Sequence, residues 1–231
     1  MPITFQFLIA FLLSILCFSV PTWADFQAGM EAYNRKDYAT ALREWRPLAK
    51  QGNALAQYNL GILYDHGYGV PKDYRQAWWW FGKAAIQNHA YAQYNFGVMY
   101  AQGHGVPQDY GHARQWYEKA AVQGVPEAQL NLGLLYGEGL GMPQDYRQAR
   151  YWWEKAADQG NAKAQFNLGV LYNNGDGVSR DIVQAHKWYS LAAENRHKDA
   201  ATLRDSLHSE MTPAQIAEAK KLAREWKPNT K

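Results

Sequence analysis

Cysteine is almost missing from this chain. The single thiol, Cys17, lies in an apolar N-terminal run, and residues 25–231 contain none, so that part tolerates an oxidising compartment without using disulfides. Leu16 precedes Cys17, where a bacterial lipidation site requires a small residue. Charge of one sign is equally scarce: 24 Lys and Arg against 21 Asp and Glu leave a formal net charge of +3 with no basic runs. That balance excludes an electrostatic surface for nucleic acid. No G-x-S-x-G elbow, no phosphate-binding loop and no G-x-G-x-x-G opening a helix after a strand occurs, which removes the sequence signatures of the common hydrolases and nucleotide-dependent enzymes.

Long hydrophobic runs are also absent. Phe7 to Val20 is nearly unbroken and apolar, but its roughly 14 residues match a signal peptide, where a bilayer span needs about 20. Residues 1–24 carry no charged side chain, Pro21 breaks the run, and Thr22-Trp23-Ala24 places small residues at the −3 and −1 positions of a cleavage site. Cleavage after Ala24 is therefore expected, giving a mature chain of 25–231. An uncleaved membrane anchor is the alternative, because no Lys or Arg precedes the run.

What the sequence has is a rhythm. Gly61, Gly97, Gly133 and Gly169 are each 36 residues apart, and their surroundings recur in step: AQYNLGILY, AQYNFGVMY, AQLNLGLLY, AQFNLGVLY. GYGVPKDY, GHGVPQDY, GLGMPQDY and GDGVSRDI follow, then A-x-x-W segments and a paired Ala-Ala. With 47% hydrophobic and 15% aromatic residues, such units can bury a core in one elongated domain or two small ones.

Each unit reads as two helices. In the second, Ala77, Trp80, Phe81, Ala84 and Ala85 fall at i, i+3, i+4, i+7 and i+8, one apolar stripe. Asp73 is its expected N-cap, with Gln76 placed for the reciprocal half of a capping box; Asp109, Asp145 and Asp181 repeat the cap. Gly67 and Gly69 supply positions free to take positive φ where the chain reverses. A lone hairpin cannot bury such a face, whereas stacked hairpins can.

These motifs resemble the Sel1-like repeat family, a branch of the tetratricopeptide superfamily. The pattern A-x-x-x-L-G-x-x-Y, G-x-G-V, D-x-x-x-A-x-x-W-x-x-x-A-A covers residues 53–194. The fold class expected is all-α: a right-handed α-solenoid of stacked antiparallel helix pairs. Four 36-residue repeats are assigned to 53–196, flanked by a tetratricopeptide-like unit at 25–52 and capping helices at 197–231. In the last of these, Thr212, Pro213 and Gln215 read as N-cap, N1 and N3.

Taking residues outside the repeating stripe as the variable surface gives candidate contact positions. On the first helices they are Leu55, Tyr58, Ile62 and His66, then Tyr91, Tyr94 and Val98, then Glu127 and Leu130, then Lys163 and Phe166. The resemblance implies that this arc lines a concave groove holding an extended peptide or a helix. Packing of the Tyr58 and Ile62 columns against neighbouring helices is the alternative. The Asn59, Asn95, Asn131 and Asn167 ladder reads as inter-repeat bonding to backbone. On the second helix, Trp80 shares the apolar stripe while Trp79 points away near roughly 200°. Its column reads Trp79, Gln115, Tyr151, Lys187, so Trp79 and Tyr151 are either exposed rings lying over their own helix or anchors for a partner.

The seven His residues, at 66, 89, 104, 112, 186, 197 and 208, occupy different phases of the repeat with no i, i+4 pair. No metal, cofactor or catalytic residue is expected. The expected function is a non-catalytic periplasmic or secreted scaffold of a Gram-negative bacterium, binding a protein or peptide and no nucleic acid, with membrane contact only through an uncleaved leader. Secreted relatives of this family include envelope adaptors and regulators. A cell-wall binding protein or hydrolase, by analogy to cysteine-rich relatives, is the second reading.

Overall fold

A computed structural model describes residues 23–227. The expected signal segment lies outside them apart from its last two positions. All the regular structure among the described residues is helical. The helices are α1 Trp23–Asn34, α2 Tyr38–Lys50, α3 Ala54–His66, α4 Tyr74–Ile86, α5 Ala90–Gln102, α6 Tyr110–Val122, α7 Pro126–Glu138, α8 Tyr146–Ala157, α9 Ala162–Asn174, α10 Ile182–Glu194, α11 Ala200–Ser206 and α12 Pro213–Glu225; a 3-10 turn, Leu207–Ser209, precedes α12. The chain forms two compact units, divided between Ala84 and Ala85.

In the first unit, α1 packs on α2 and α2 on α3. Its core gathers Trp45, Leu48, Leu60, Leu63 and Trp80 around small Ala residues. Trp45 is 1% exposed and donates its indole N–H to the Phe26 carbonyl at 3.2 Å. In the second unit, α5–α6, α7–α8 and α9–α10 are the hairpins of successive repeats, and α6–α7 and α8–α9 are the contacts that stack them; α10 then packs against α11 and α12.

The 36-residue glycine has a steric cause. A Cβ on Gly61, Gly97, Gly133 or Gly169 would come within 2.5, 2.7, 2.4 and 2.5 Å of Phe81, Tyr117, Trp153 and Tyr189 respectively. Each first helix therefore lies directly on an aromatic ring of its own second helix. That ring is buried in every repeat, and only glycine leaves room for it. The hairpin turn is equally regular. Gly67, Gly103, Gly139 and Gly175 end the first helices with φ between 67° and 80°. Nine residues beyond Tyr64, Tyr100, Tyr136 and Tyr172 the chain closes back, as the Asp73, Asp109, Asp145 and Asp181 amides donate to the carbonyls of those tyrosines at 2.9 Å.

The same aspartates cap the second helices, accepting from the backbone N–H two or three residues on. The reciprocal arm of a capping box forms at Thr212, whose N–H donates to Gln215 Oε1 at 2.9 Å. The Ala77, Trp80, Phe81, Ala84 and Ala85 stripe is buried throughout, as its periodicity predicts.

Candidate protein-interaction surface

The variable arc divides into three kinds of position. The column of Leu55, Tyr91, Glu127 and Lys163 is exposed, with Leu55 at 42% and Tyr91 at 51%. Its side chains change from apolar through aromatic to acidic and basic along the chain. His66 is also exposed; its Nδ1 lies 3.1 Å from the Ile62 carbonyl and its ring stacks on Tyr68 at 5.0 Å.

The second kind is half-buried. Tyr58, Tyr94 and Phe166 each lean on the aromatic ring of their own second helix, Phe81, Tyr117 and Tyr189, at centroid separations of 5.9, 5.9 and 5.7 Å. Phe166 also stacks on His197 at 4.0 Å. Burial raises the Tyr94 phenol above its ordinary range, and the Glu127 carboxylate adds to the rise. Ile62, Val98 and Val170 are half-buried as well, Val98 and Val170 packing on the cores beneath them. So these columns serve packing with one edge and leave the other accessible.

Leu130 is a correction. It is 7% exposed and belongs to the core, because the ring beneath it is the larger indole of Trp153, which donates Nε1–H to the Leu130 carbonyl at 3.3 Å. It offers nothing to a partner.

On the second helices, Trp79 is 44% and Tyr151 48% exposed. Each stands edge-on to the following indole, Trp80 at 4.3 Å and Trp152 at 4.9 Å. An ammonium lies over each, Lys83 at 4.5 Å and Lys155 at 5.7 Å, one helical turn further on. The rings are supported by their own helix and still present a face to solvent.

The asparagine ladder is a second correction. Asn59 Nδ2 reaches Met30 Sδ at 3.6 Å and Asn131 Nδ2 reaches the Tyr117 hydroxyl at 3.3 Å, so at these two rungs the partners are side chains. The ladder that does bond backbone is built from glutamine. Gln57, Gln93, Gln129 and Gln165, 0–5% exposed, donate Nε2–H to the carbonyls of Ala49, Ala85, Ala121 and Ala157 of the preceding helix at 2.9–3.3 Å. Their oxygens accept in turn from the end of the next second helix: Gln93 from Gln123 at 2.7 Å, Gln129 from Gln159 at 2.8 Å, Gln165 from Asn195 at 2.9 Å. A buried amide is thus satisfied on both sides. Its signal was present in the sequence, as the Gln of every A-Q pair.

Sequence reasoning also missed a histidine pair. His186 is 0% exposed, and its Nε2 lies 3.2 Å from that of His208. Nearby, Ser190 donates its hydroxyl to the His186 carbonyl at 2.8 Å, so the proton is directed at backbone and the serine is not poised as a nucleophile. The cleft beside them, about 320 Å³, carries Glu194, Arg204, Asp205, Lys220 and Arg224. Among the described residues no group of three or more His, Cys, Asp or Glu could hold a metal ion, and no helix is long and apolar enough to cross a membrane.

A Sel1 repeat family profile matches residues 54–89, 90–125, 126–161 and 162–197. No curated protein matches. Among solved structures, the chain is similar to a Sel1 repeat protein from Oxalobacter formigenes, at 30% identity and a TM-score of 0.74, covering 86% of this chain and 83% of that one. It is also similar to a protective antigen of uropathogenic Escherichia coli displaying an SLR fold, at 29% identity and a TM-score of 0.77. That match covers 87% of this chain but only 45% of the antigen, so the chain spans less than half of that relative's length. An immunity protein from Pseudomonas aeruginosa, at 20% identity and a TM-score of 0.50 over 85% of this chain and 78% of that one, shares the fold alone.

Proposed function

The chain belongs to the Sel1 repeat family, and from that premise we propose that it is a non-catalytic scaffold holding one protein partner of a bacterial envelope process. Sel1 repeat proteins are in general protein-interaction scaffolds, and this chain has the same division of labour. One observation carries the reading: the residues that recur every 36 positions are taken up by the core, the turns and the helix caps, while Tyr91, Glu127 and Lys163, at equivalent exposed positions of α5, α7 and α9, differ in chemistry. A face whose shape repeats while its chemistry changes suits an extended partner read position by position. The half-buried edges of Tyr94 and Phe166 supply apolar area beside it. The apolar run Phe7 to Val20 and the small residues Thr22 and Ala24 before Asp25 are the sequence support for a cleaved leader and hence for a periplasmic or secreted location.

The test is in-envelope crosslinking of residues 25–231 followed by mass spectrometry, with Tyr91→Ala and Lys163→Glu variants alongside. A discrete partner captured by the wild type and lost at least tenfold in the double variant, at unchanged helicity and melting temperature, is the expected result. Capture that ignores both substitutions refutes the surface, and no discrete partner refutes the scaffold.

A further inference from the structure

The middle residue of each hairpin turn is Tyr68, His104, Leu140 or Asp176. In three of the turns the glycine after it sits in the same place: a Cβ on Gly69, Gly141 or Gly177 would lie 2.8, 2.8 and 2.6 Å from the Cβ of Tyr38, Tyr110 and Tyr146. These three turns are therefore held alike, and what differs is the side chain between the glycines. Tyr68 stacks on Tyr38 at 4.6 Å and 9° and joins the core of its unit. Leu140 packs on the core beside Tyr110. In the last repeat the place falls to Asp176, whose Oδ2 instead accepts from Asn174 Nδ2 at 3.1 Å.

The space beside Tyr146 consequently stays open. It is a cavity of about 180 Å³ between α7, α8 and α9. Gly137 widens it, since the equivalent positions of the other repeats hold Asp65, Ala101 and Asn173. Leu134, Trp153, Val170 and Leu171 give it apolar walls, and its two charged lining residues, Glu138 and Asp176, are both acids.

We propose that this cavity receives an arginine or lysine side chain of the partner, its methylene stem against the apolar walls and its cationic head against Glu138 and Asp176. The chain fills the corresponding space with its own Tyr68 or Leu140, and here the partner supplies the missing side chain. An anionic residue is repelled by both carboxylates, and an aliphatic one leaves them without a counter-charge. The inference deepens the protein-binding reading and rests on it.

The experiment is an amide NMR titration of residues 25–231 with N-acetyl-arginine methylamide, against the N-acetyl-leucine and N-acetyl-glutamate analogues. Saturable shifts confined to 134–138 and 167–177 are expected, with arginine bound about tenfold more tightly than leucine, the scale of two exposed ion pairs. Asp176→Tyr, which restores the residue of the first repeat, abolishes the response while the melting temperature is kept. Glu138→Gln with Asp176→Asn removes the preference for arginine and spares leucine binding. Equal response to arginine and glutamate, arginine shifts that persist in Asp176→Tyr, or no response at the cavity overturns the proposal. Partner capture is scored separately: a wild type that binds the probe but captures nothing refutes the scaffold reading and leaves the cavity standing.

Discussion

Acidification should loosen the C-terminal end of the solenoid, with His186 as the cause. His186 is wholly buried at the junction of α10 with the C-terminal helices. Burial, then His208, Arg204 and Lys220, push its pKa from 6.5 down to about 4, against the opposing pull of Asp205. Glu194 and Arg224 line the same cleft and complete the charged surroundings. An unfolded chain takes up this proton near pH 6.5, whereas the folded chain refuses it until about 4. The unfolded state thus binds more protons between these values, and stability falls as pH falls through that window. Above pH 6.5 the contribution is fully present. At about 1.4 kcal/mol per unit, the loss by pH 4 reaches about 3 kcal/mol. The control is His186→Gln, which keeps a polar side chain but cannot titrate. Because repeats couple mainly to their neighbours, the loss should be local. Hydrogen exchange in α12 should accelerate by about tenfold per pH unit, after correction for intrinsic exchange, while α6 changes little. Urea denaturation of wild type and variant, followed by circular dichroism at pH 7.5 and 4.5, gives the total. If the two proteins lose the same stability over that interval, His186 is not the titrating group and the reasoning fails.

Two further substitutions test the packing. Gly133→Ala places a methyl 2.4 Å from Trp153 Nε1, and Trp153 is core-bound; overpacking of roughly 3 kcal/mol outweighs the helix-propensity gain of about 1 kcal/mol, so a net loss of about 2 kcal/mol in urea melts is expected, and wild-type stability would contradict it. Gln129→Met deletes the bonds to Ala121 and Gln159, each worth about 1 kcal/mol net, so a loss of about 1–2 kcal/mol is expected. Pairing it with Gln159→Ala in a double-mutant cycle should give a less-than-additive loss, and strict additivity would remove the ladder as a coupled element.

Much of the fold was legible because a repeat states the same steric requirement four times. Gly61, Phe81 and Asp73 each recur at 36-residue spacing as glycine, aromatic ring and aspartate, and each proves to have one fixed neighbour: ring on glycine, carboxylate on helix end. Trp80 and Trp79 were told apart by phase alone, 6% against 44% exposed. Leu130 was misplaced because a helical wheel fixes direction but not depth, and Leu130 lies in one buried cluster with Trp153 and Leu168. Asn59 and Asn131 bond side chains in place of backbone for a similar reason, since their partners Met30 and Tyr117 are set by depth.

The sequence by itself determined the helices, their caps and turns, the stripe that packs and the arc that varies, since these depend on residues at most one repeat apart and are written in their periods. Only the tertiary structure decided what no period encodes. His186 meets His208 because the C-terminal helices fold back on α10, and the cavity beside Asp176 exists because three helices leave a space where a larger side chain would have stood. Such features depend on distances between side chains of unequal size on different helices, and those distances exist only once the stack has formed.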